Sequence, residues 1–229
     1  MKGKVVLVTG ASGGLGRAVT TAFLSAGASV AGIARSISAA DFDHPDFVPI
    51  ATNIANAESA MKIVNAVLER FHRIDVLAHL VGGFSGGRTV DKTDDAVWES
   101  MMFLNVTAAF HMFRAVLPHM QSAGYGRVIA IGSRAAEEPG AGVGAYSASK
   151  AALVSLVRTV ALENKDAGIT ANVILPATID TAANRAAMPK ADPSNWIKPE
   201  SIASLAIWLA SEDGAQVTGA AIPIYGKQL

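Results

Sequence analysis

Val5-Val6-Leu7-Val8-Thr9-Gly10-Ala11-Ser12-Gly13-Gly14-Leu15-Gly16 is the stretch that decides the fold. Its first four residues are a continuous apolar run, the pattern of a strand buried on both faces. The glycines follow at once, and a helical pattern over 15–25 follows them. Glycines let the main chain turn tightly and approach a pyrophosphate closely. The helix N-terminus then offers that anion free N–H groups and the positive end of its dipole. Gly10, Ser12, Gly13, Gly14, Leu15 and Gly16 are therefore the expected phosphate cradle of a dinucleotide.

Outward from this unit, short apolar runs alternate with longer helical patterns. Strands are expected at 29–33, more weakly at 47–50, and at 74–80, 127–131, 169–175 and 220–224. Met61, Val64, Val67, Leu68 and Phe71 fall at helical spacing within 58–71. One or two long helices are expected over 94–120, and others over 147–164 and 200–210. Such alternation predicts an α/β fold. It is a single-domain, doubly wound parallel sheet of about seven strands, spanning 1–229, with helices on both faces. In sheets of this kind ligands bind beyond the carboxyl ends of the strands.

Composition narrows the function. The 229 residues are 51% hydrophobic and 17% charged, enough for a large core and too little charge for a disordered chain. Nineteen basic side chains balance nineteen acidic ones, which argues against a nucleic-acid binder working by bulk charge. With no cysteine, thiolate catalysis, disulfides and Cys-ligated zinc are excluded. The five histidines form no Glu-flanked pair at zinc spacing, so no catalytic metal is expected. The longest apolar runs are short and broken, and the N-terminus lacks the apolar core of a signal peptide. A soluble cytoplasmic protein without a membrane span is the expectation.

Tyr146-Ser147-Ala148-Ser149-Lys150 carries the chemistry. Tyr and Lys four apart on a helix share one face. A free phenol titrates near pH 10, and a neighbouring ammonium favours the phenolate and lowers that value. Such a pair can pass a proton to a carbonyl oxygen as hydride reaches its carbon.

The spacing Gly10-x-x-x-Gly14-x-Gly16 after Thr9, together with Tyr146 and Lys150, resembles the short-chain dehydrogenase/reductase family over essentially the whole chain. The resemblance implies a Rossmann fold and a nicotinamide cofactor that carries the hydride. It also implies a catalytic tetrad of Asn105, Ser133, Tyr146 and Lys150. Tyr146 is then the acid in reduction and the base in oxidation. Lys150 lowers its pKa and holds the nicotinamide ribose. Ser133 polarises the carbonyl, and Asn105 supports a water-linked proton relay. Relatives favouring NAD have an acid after the second strand. Here Arg35 and Ser36 follow Ala34, so NADP(H) is expected as the preferred cofactor, with NAD(H) possible. Asn53 stands where the family has an Asp on the adenine, with Ile54 beside it. Pro176, Ile179 and Thr181 are expected at the nicotinamide, with Ala177 in place of the usual Gly.

One departure lies after the fourth strand. The family has Asn-Asn-Ala-Gly; this chain has His79-Leu80-Val81-Gly82-Gly83, which leaves Val81, Gly82 and Gly83 to line the cofactor and makes His79 a satisfied structural residue. The loop Gly82-Gly83-Phe84-Ser85-Gly86-Gly87 and the pattern from Leu175 through Trp196 are similar to dihydropteridine reductases. The complete tetrad fits 3-oxoacyl reductases. Either implies a small-molecule carbonyl or alcohol substrate. Residues 182–197 read as a flap over it, with Phe84 and Trp196 as candidate apolar walls. A non-catalytic NADP(H)-sensing protein is the alternative from another class, and an isomerase using the same dinucleotide ranks below it. The long helices imply a homodimer or homotetramer by analogy with relatives.

Overall fold

β1 (Val5–Thr9) is buried at all five positions because it lies mid-sheet, with a parallel strand on each side and helices above and below. The structure is a computed structural model and describes residues 1–228. In chain order the elements are β1, α1 (Gly14–Ser25), β2 (Ser29–Ala34), β3 (Phe47–Ala51), α2 (Ala57–Phe71), β4 (Val76–His79), α3 (Asp95–Met102), α4 (Ala108–Ala123), β5 (Gly126–Ile131), α5 (Gly144–Asn164), β6 (Ile169–Pro176), α6 (Ala182–Ala187), α7 (Pro199–Ala210) and β7 (Ala221–Ile224). The strands run β3-β2-β1-β4-β5-β6-β7, all parallel. The chain winds outward from β1 to β3, returns to β4 beside β1, and winds outward again. The crevice between β1 and β4 is the reversal point where such sheets open for a ligand.

The period of two along each strand divides the core into two layers. Leu7, Leu77, Val128 and Val173 point to one face and pack with α2, α4 and α5. Val6, Val8, Ile129 and Ile174 point to the other and pack with α1 and α7. Each central strand is apolar at consecutive positions because both faces are covered.

Three elements differ from the sequence expectation by more than one residue at an end. β4 begins at Val76, two residues later than expected; Asp75 before it still bonds both neighbours through its main chain (Asp75 N to Val5 O and Arg127 N to Asp75 O, both 2.9 Å), while its carboxylate accepts from Val5 N at 2.8 Å and pairs with Arg73. α5 begins at Gly144, so Tyr146 falls in its first turn. The 94–120 expectation becomes α3 and α4 joined without a break through a π-helical turn, Phe103–Thr107. This run, Asp95–Ala123, is long and apolar enough to cross a membrane by length and composition. In the fold, Ala108, Ala109, Met112, Phe113, Val116 and Met120 instead bury its apolar face in the core.

Candidate active site

All the residues singled out from the sequence arrive at the carboxyl edge of the sheet. The turn Gly10–Gly13 and the start of α1 follow β1, Arg35 and Ser36 follow β2, and Asn53 and Ile54 follow β3. Val81, Gly82 and Gly83 follow β4, Ser133 follows β5, and Pro176, Ile179 and Thr181 end or follow β6. Asn105 reaches the same edge from the π turn, and Tyr146 and Lys150 from α5.

The first turn is built as a cradle. Gly16 is required by close approach: a Cβ there would lie 2.0 Å from the Gly10 carbonyl oxygen. α1 starts at an N-cap glycine, Gly13, with no side-chain cap and no acid in its first turn. Its leading N–H groups and the positive end of its dipole are therefore available to an anion. Gly13 and Gly14 are exposed. A Cβ on Gly14 would meet Thr181 at 2.9 Å, so the loop after β6 closes against the turn. These features fit a bound dinucleotide. At the far end, Arg35 and Ser36 are exposed, and among the described residues Arg35 has no ion-pair partner. The nearby acid, Asp41, is engaged by Arg17 at 2.6 Å and by the Ser38 backbone N–H at 2.8 Å, which hold its carboxyl below the usual range. Ile54 is buried and Asn53 exposed. Thr181 spends its hydroxyl capping α6, accepting from Asn184 N at 3.2 Å.

The π turn explains how Asn105 enters the site. A π bulge shifts the side-chain register of a helix and is frequent at functional positions. Asn105 is fully buried and grips the peptide of Gly83 from both sides. Its Oδ1 accepts from Gly83 N (2.9 Å), and its Nδ2 donates to Gly83 O (3.1 Å) and to Ser149 Oγ (3.0 Å). Ser149 in turn donates to the Tyr146 carbonyl at 2.7 Å. One chain of hydrogen bonds thus joins the loop after β4 to the first turn of α5. Gly82 explains itself here, because a Cβ on it would lie 2.8 Å from Asn105 Oδ1 and 3.1 Å from Lys150 Nζ.

Lys150 is buried, and its ammonium donates to the Ile131 carbonyl at 2.8 Å. Burial brings its pKa down to about 8. Its Nζ lies 6.0 Å from the Tyr146 ring centroid. The expected lowering of the Tyr146 pKa by Lys150 is not realised. Burial raises it above 10, and the Ser133 hydroxyl only partly opposes that shift. The reason is geometric: the ammonium is directed at a carbonyl, and desolvation of the phenolate prevails. At neutral pH the phenol holds its proton. Above the ring, Phe84 stands edge-on at 4.9 Å between centroids and is 69% exposed. Trp196 is half-buried at the end of the 182–197 segment, whose base is pinned by Ile197 N donating to Thr178 O at 2.8 Å.

His79 differs in part from its expected role. Leu80 N and Val81 N both donate to Thr9 Oγ1 (3.1 and 3.3 Å), so the Thr9 hydroxyl proton is left for His79 Nδ1 at 3.1 Å. The proton of the neutral ring then sits on Nε2, which is buried without a partner. Burial first, and the Lys150 charge second, push the imidazole down to about 3. Sequence reasoning does not find the Asn105–Gly83 grip, the Ser149 link or the contact of Gln228 with Thr178. Ser149, within the Tyr-to-Lys segment, was the one signal within reach.

The short chain dehydrogenase family model matches residues 4–192. The 3-oxoacyl-[acyl-carrier-protein] reductase FabG of Vibrio cholerae is 30% identical over 238 residues, covering 99% of this chain and 97% of that protein. The short-chain dehydrogenase/reductase cdmF of Talaromyces verruculosus is 30% identical over 242 residues, covering 96% of this chain and 94% of that one. Among solved structures, an oxidoreductase of the short chain dehydrogenase/reductase family from Burkholderia thailandensis is 29% identical. It superposes with a TM-score of 0.88, covering 99% of this chain and 92% of that one.

Proposed function

The chain belongs to the short chain dehydrogenase family, and from that premise we propose an NADP(H)-preferring carbonyl reductase or alcohol dehydrogenase whose proton is moved by Tyr146. It is an oxidoreductase working between a carbonyl and an alcohol. The observation that carries the residue assignment is the convergence of Ser133, Tyr146, Lys150 and Asn105 at one edge of the sheet, beside an uncapped glycine turn.

The nicotinamide, when bound, supplies the hydride in reduction and takes it in oxidation. Gly10, Ser12, Gly13, Gly14, Leu15 and Gly16 hold the pyrophosphate. Val81, Gly82 and Gly83 line the middle, and Pro176, Ile179 and Thr181 the reactive end. Arg35 and Ser36 face the 2′-phosphate, with Asn53 and Ile54 at the adenine. An exposed Arg35 without an ion-pair partner among the described residues supports the NADP(H) preference, since a phosphate takes a charge-assisted pair from a guanidinium.

In reduction the Tyr146 phenol gives its proton to the carbonyl oxygen; in oxidation its phenolate form takes the alcohol's. A phenol whose pKa lies above 10 is a competent donor at neutral pH. Ser133 hydrogen-bonds the same oxygen as charge develops on it. Lys150 keeps its positive charge up to about pH 8, 6.0 Å from the Tyr146 ring centroid, and would hold the nicotinamide ribose. Asn105 fixes the floor of the site through Gly83 and Ser149. The substrate is a small molecule, either a carbonyl compound of the 3-oxoacyl type or, in the alternative, a quinonoid dihydropteridine reduced at its ring C=N. The FabG likeness supports the first and the 82–87 loop the second. Phe103, Phe110 and Leu162 remain exposed on the α3–α4 run and α5, which supports a homodimer or homotetramer. The cytoplasm is the proposed compartment.

A panel of ketones, aldehydes, 3-oxoacyl thioesters and quinonoid pterins, followed at the nicotinamide absorbance with NADPH and NADH, tests this reading. Tyr146→Phe should lower kcat by about 10²–10⁴-fold while leaving the cofactor Kd within about twofold. Tight NADPH binding with no turnover on any member would favour the sensing protein instead.

A further inference from the structure

We propose that the C-terminal turn, 225–228, is a clasp that sets the distance between the two loops flanking the reacting carbonyl, with Gln228 and Arg134 as its positioning residues. This rests on the proposed reading of Ser133 as the carbonyl-polarising hydroxyl and of the loop after β6 as the nicotinamide-facing one.

Among the described residues no hydrogen bond runs directly between the two loops. Ser133 opens a short 3₁₀ turn, Arg134–Ala136, and its Oγ accepts from Ala135 N at 3.2 Å. The orientation of the hydroxyl is therefore set by how that turn sits. Arg134, the next residue, makes three contacts. It donates to the Gln228 carbonyl, pairs with Glu138 at 2.6 Å, and stacks its guanidinium 5.1 Å from the Tyr225 ring centroid.

Gln228 completes the link from the other side. Its Oε1 accepts from Thr178 N at 3.3 Å, and its Nε2 donates to Thr178 O at 3.2 Å. At neutral pH a side-chain amide offers a donor and an acceptor side by side to match one residue's backbone N–H and C=O, which an ionised carboxylate does not. The turn carrying it is closed by Gln228 N donating to Tyr225 O at 3.0 Å. It also extends the β6–β7 pairing, because Ala177 N donates to Ile224 O at 3.2 Å just past the strand ends. Thr178 lies one residue before Ile179 and three before Thr181. A single residue, Gln228, thus holds the Ser133 turn by its carbonyl and the nicotinamide loop by its side chain.

Both loops project from strand ends, where the sheet's own hydrogen bonds have stopped. A shift of about 1 Å between a polarising hydroxyl and the hydride donor is enough to cost on the order of 10²-fold in rate. The clasp acts on that separation, without touching substrate, and its signature is a fall in the chemical step at nearly constant cofactor affinity.

The test uses the full-length protein with NADPH and whichever carbonyl of the panel is turned over. Hydride transfer is measured in single-turnover stopped flow, cofactor Kd by fluorescence, and the folded fraction by thermal denaturation. Gln228→Ala should slow hydride transfer by about 10- to 100-fold with the cofactor Kd within about threefold and the protein folded. Arg134→Ala should do the same, and Arg134→Lys, which keeps a cationic donor, should recover part of the rate. Gln228→Glu adds a signature that loss of bulk packing does not produce. A carboxylate accepts from Thr178 N but cannot donate to Thr178 O until protonated. Its rate relative to wild type should therefore rise as pH falls from about 7.5 toward 5.5. Wild-type hydride transfer in Gln228→Ala overturns the clasp, as does a loss that only tracks the folded fraction or a pH-independent ratio for Gln228→Glu. A parallel arm separates the two failures. If Tyr146→Phe turns over normally and Thr181→Ala leaves the chemical step and cofactor Kd unchanged, it is the underlying site assignment that falls.

Discussion

Two glycine-rich loops leave neighbouring strands of the sheet, and they are constrained by different things. In the loop after β1, a Cβ on Gly16 would strike the Gly10 carbonyl oxygen at 2.0 Å and Ala11 main-chain atoms at 2.8 Å. Backbone meets backbone, and neither can yield. In the loop after β4, the nearest atoms to Gly82 and Gly83 are side chains, Asn105 and Lys150 for the first and Leu104 for the second. At its far end Gly87 has nothing within 4 Å and is held to glycine only by its φ of +95°. The first loop, the proposed anion cradle, is limited at Gly16 by its own main chain. The second takes its shape from α5 and the π turn, and it presents Phe84 to solvent. Cofactor binding asks for the former and accommodation of a substrate for the latter.

The largest effect that tests this contrast is Gly16→Ala. One methyl pressed into main chain should cost about 3 kcal/mol of stability and weaken cofactor binding by at least about 100-fold, read by thermal denaturation and by fluorescence titration. Gly87→Ala, in open space, should cost only the left-handed backbone, about 1–2 kcal/mol, with cofactor affinity unchanged. Equal losses of affinity in the two variants would remove the distinction. Next in size is Arg35→Ala at the far end of the cradle. Loss of one charge-assisted phosphate contact should weaken NADPH by about 30-fold and leave NADH within about twofold. A similar fall for both cofactors would take Arg35 off the phosphate.

Phe84→Ala probes the second loop and should be milder still. A side chain 69% exposed contributes little to folding, so stability should stay within about 0.5 kcal/mol of wild type. Its edge contact with Tyr146 places it over the proposed reacting centre. KM for the carbonyl should rise about tenfold, as for an apolar wall removed from a pocket, while the cofactor Kd holds. A change in cofactor affinity with KM unaffected would make the loop part of the cradle after all.

The contrast also explains what was legible in the sequence. β1, the turn and α1 could be read directly, because a doubly buried strand and a backbone-limited turn leave their marks in consecutive residues. The alternation that followed gave the strand sequence and the two-sided core, since Val6 and Leu7 serve opposite layers only in a covered sheet. Tyr146 and Lys150 could be read for the same reason, being four apart on one helix. The Asn105 grip on Gly83 spans 22 residues and depends on a π turn for which helical periodicity gives no signal. Gln228 meets Thr178 across 50 residues, and a glutamine near a chain end looks like any solvated polar residue. Spacing places Lys150 on the same helix face as Tyr146 without saying where its ammonium points. The Ile131 carbonyl takes it.

Between the two loops lies a strut, and it carries the smallest prediction. His79, at the end of β4, takes the hydroxyl proton of Thr9, at the end of β1, while Thr9 Oγ1 collects the first two N–H groups of the second loop. The imidazole is buried and titrates at about 3, against about 6.5 in an unfolded chain. From pH 6.5 downward the unfolded chain therefore binds a proton that the folded protein refuses until about pH 3. The stability linked to this residue is complete above pH 6.5 and is lost as the medium is acidified. Asparagine keeps an acceptor for Thr9 and has nothing to titrate, so His79→Asn should flatten that loss. Between pH 7.5 and 6.0 wild type should lose about 0.8 kcal/mol more than the variant, measured by chemical denaturation at both values. The sign is the sharper part of the test. A histidine charged in the folded state would give no such difference, and one stabilised by its charge would reverse it. Either result would mean that the two loops are joined by an ionic contact and not by a neutral hydrogen bond. Their different constraints would then have to be read as parts of one electrostatic unit.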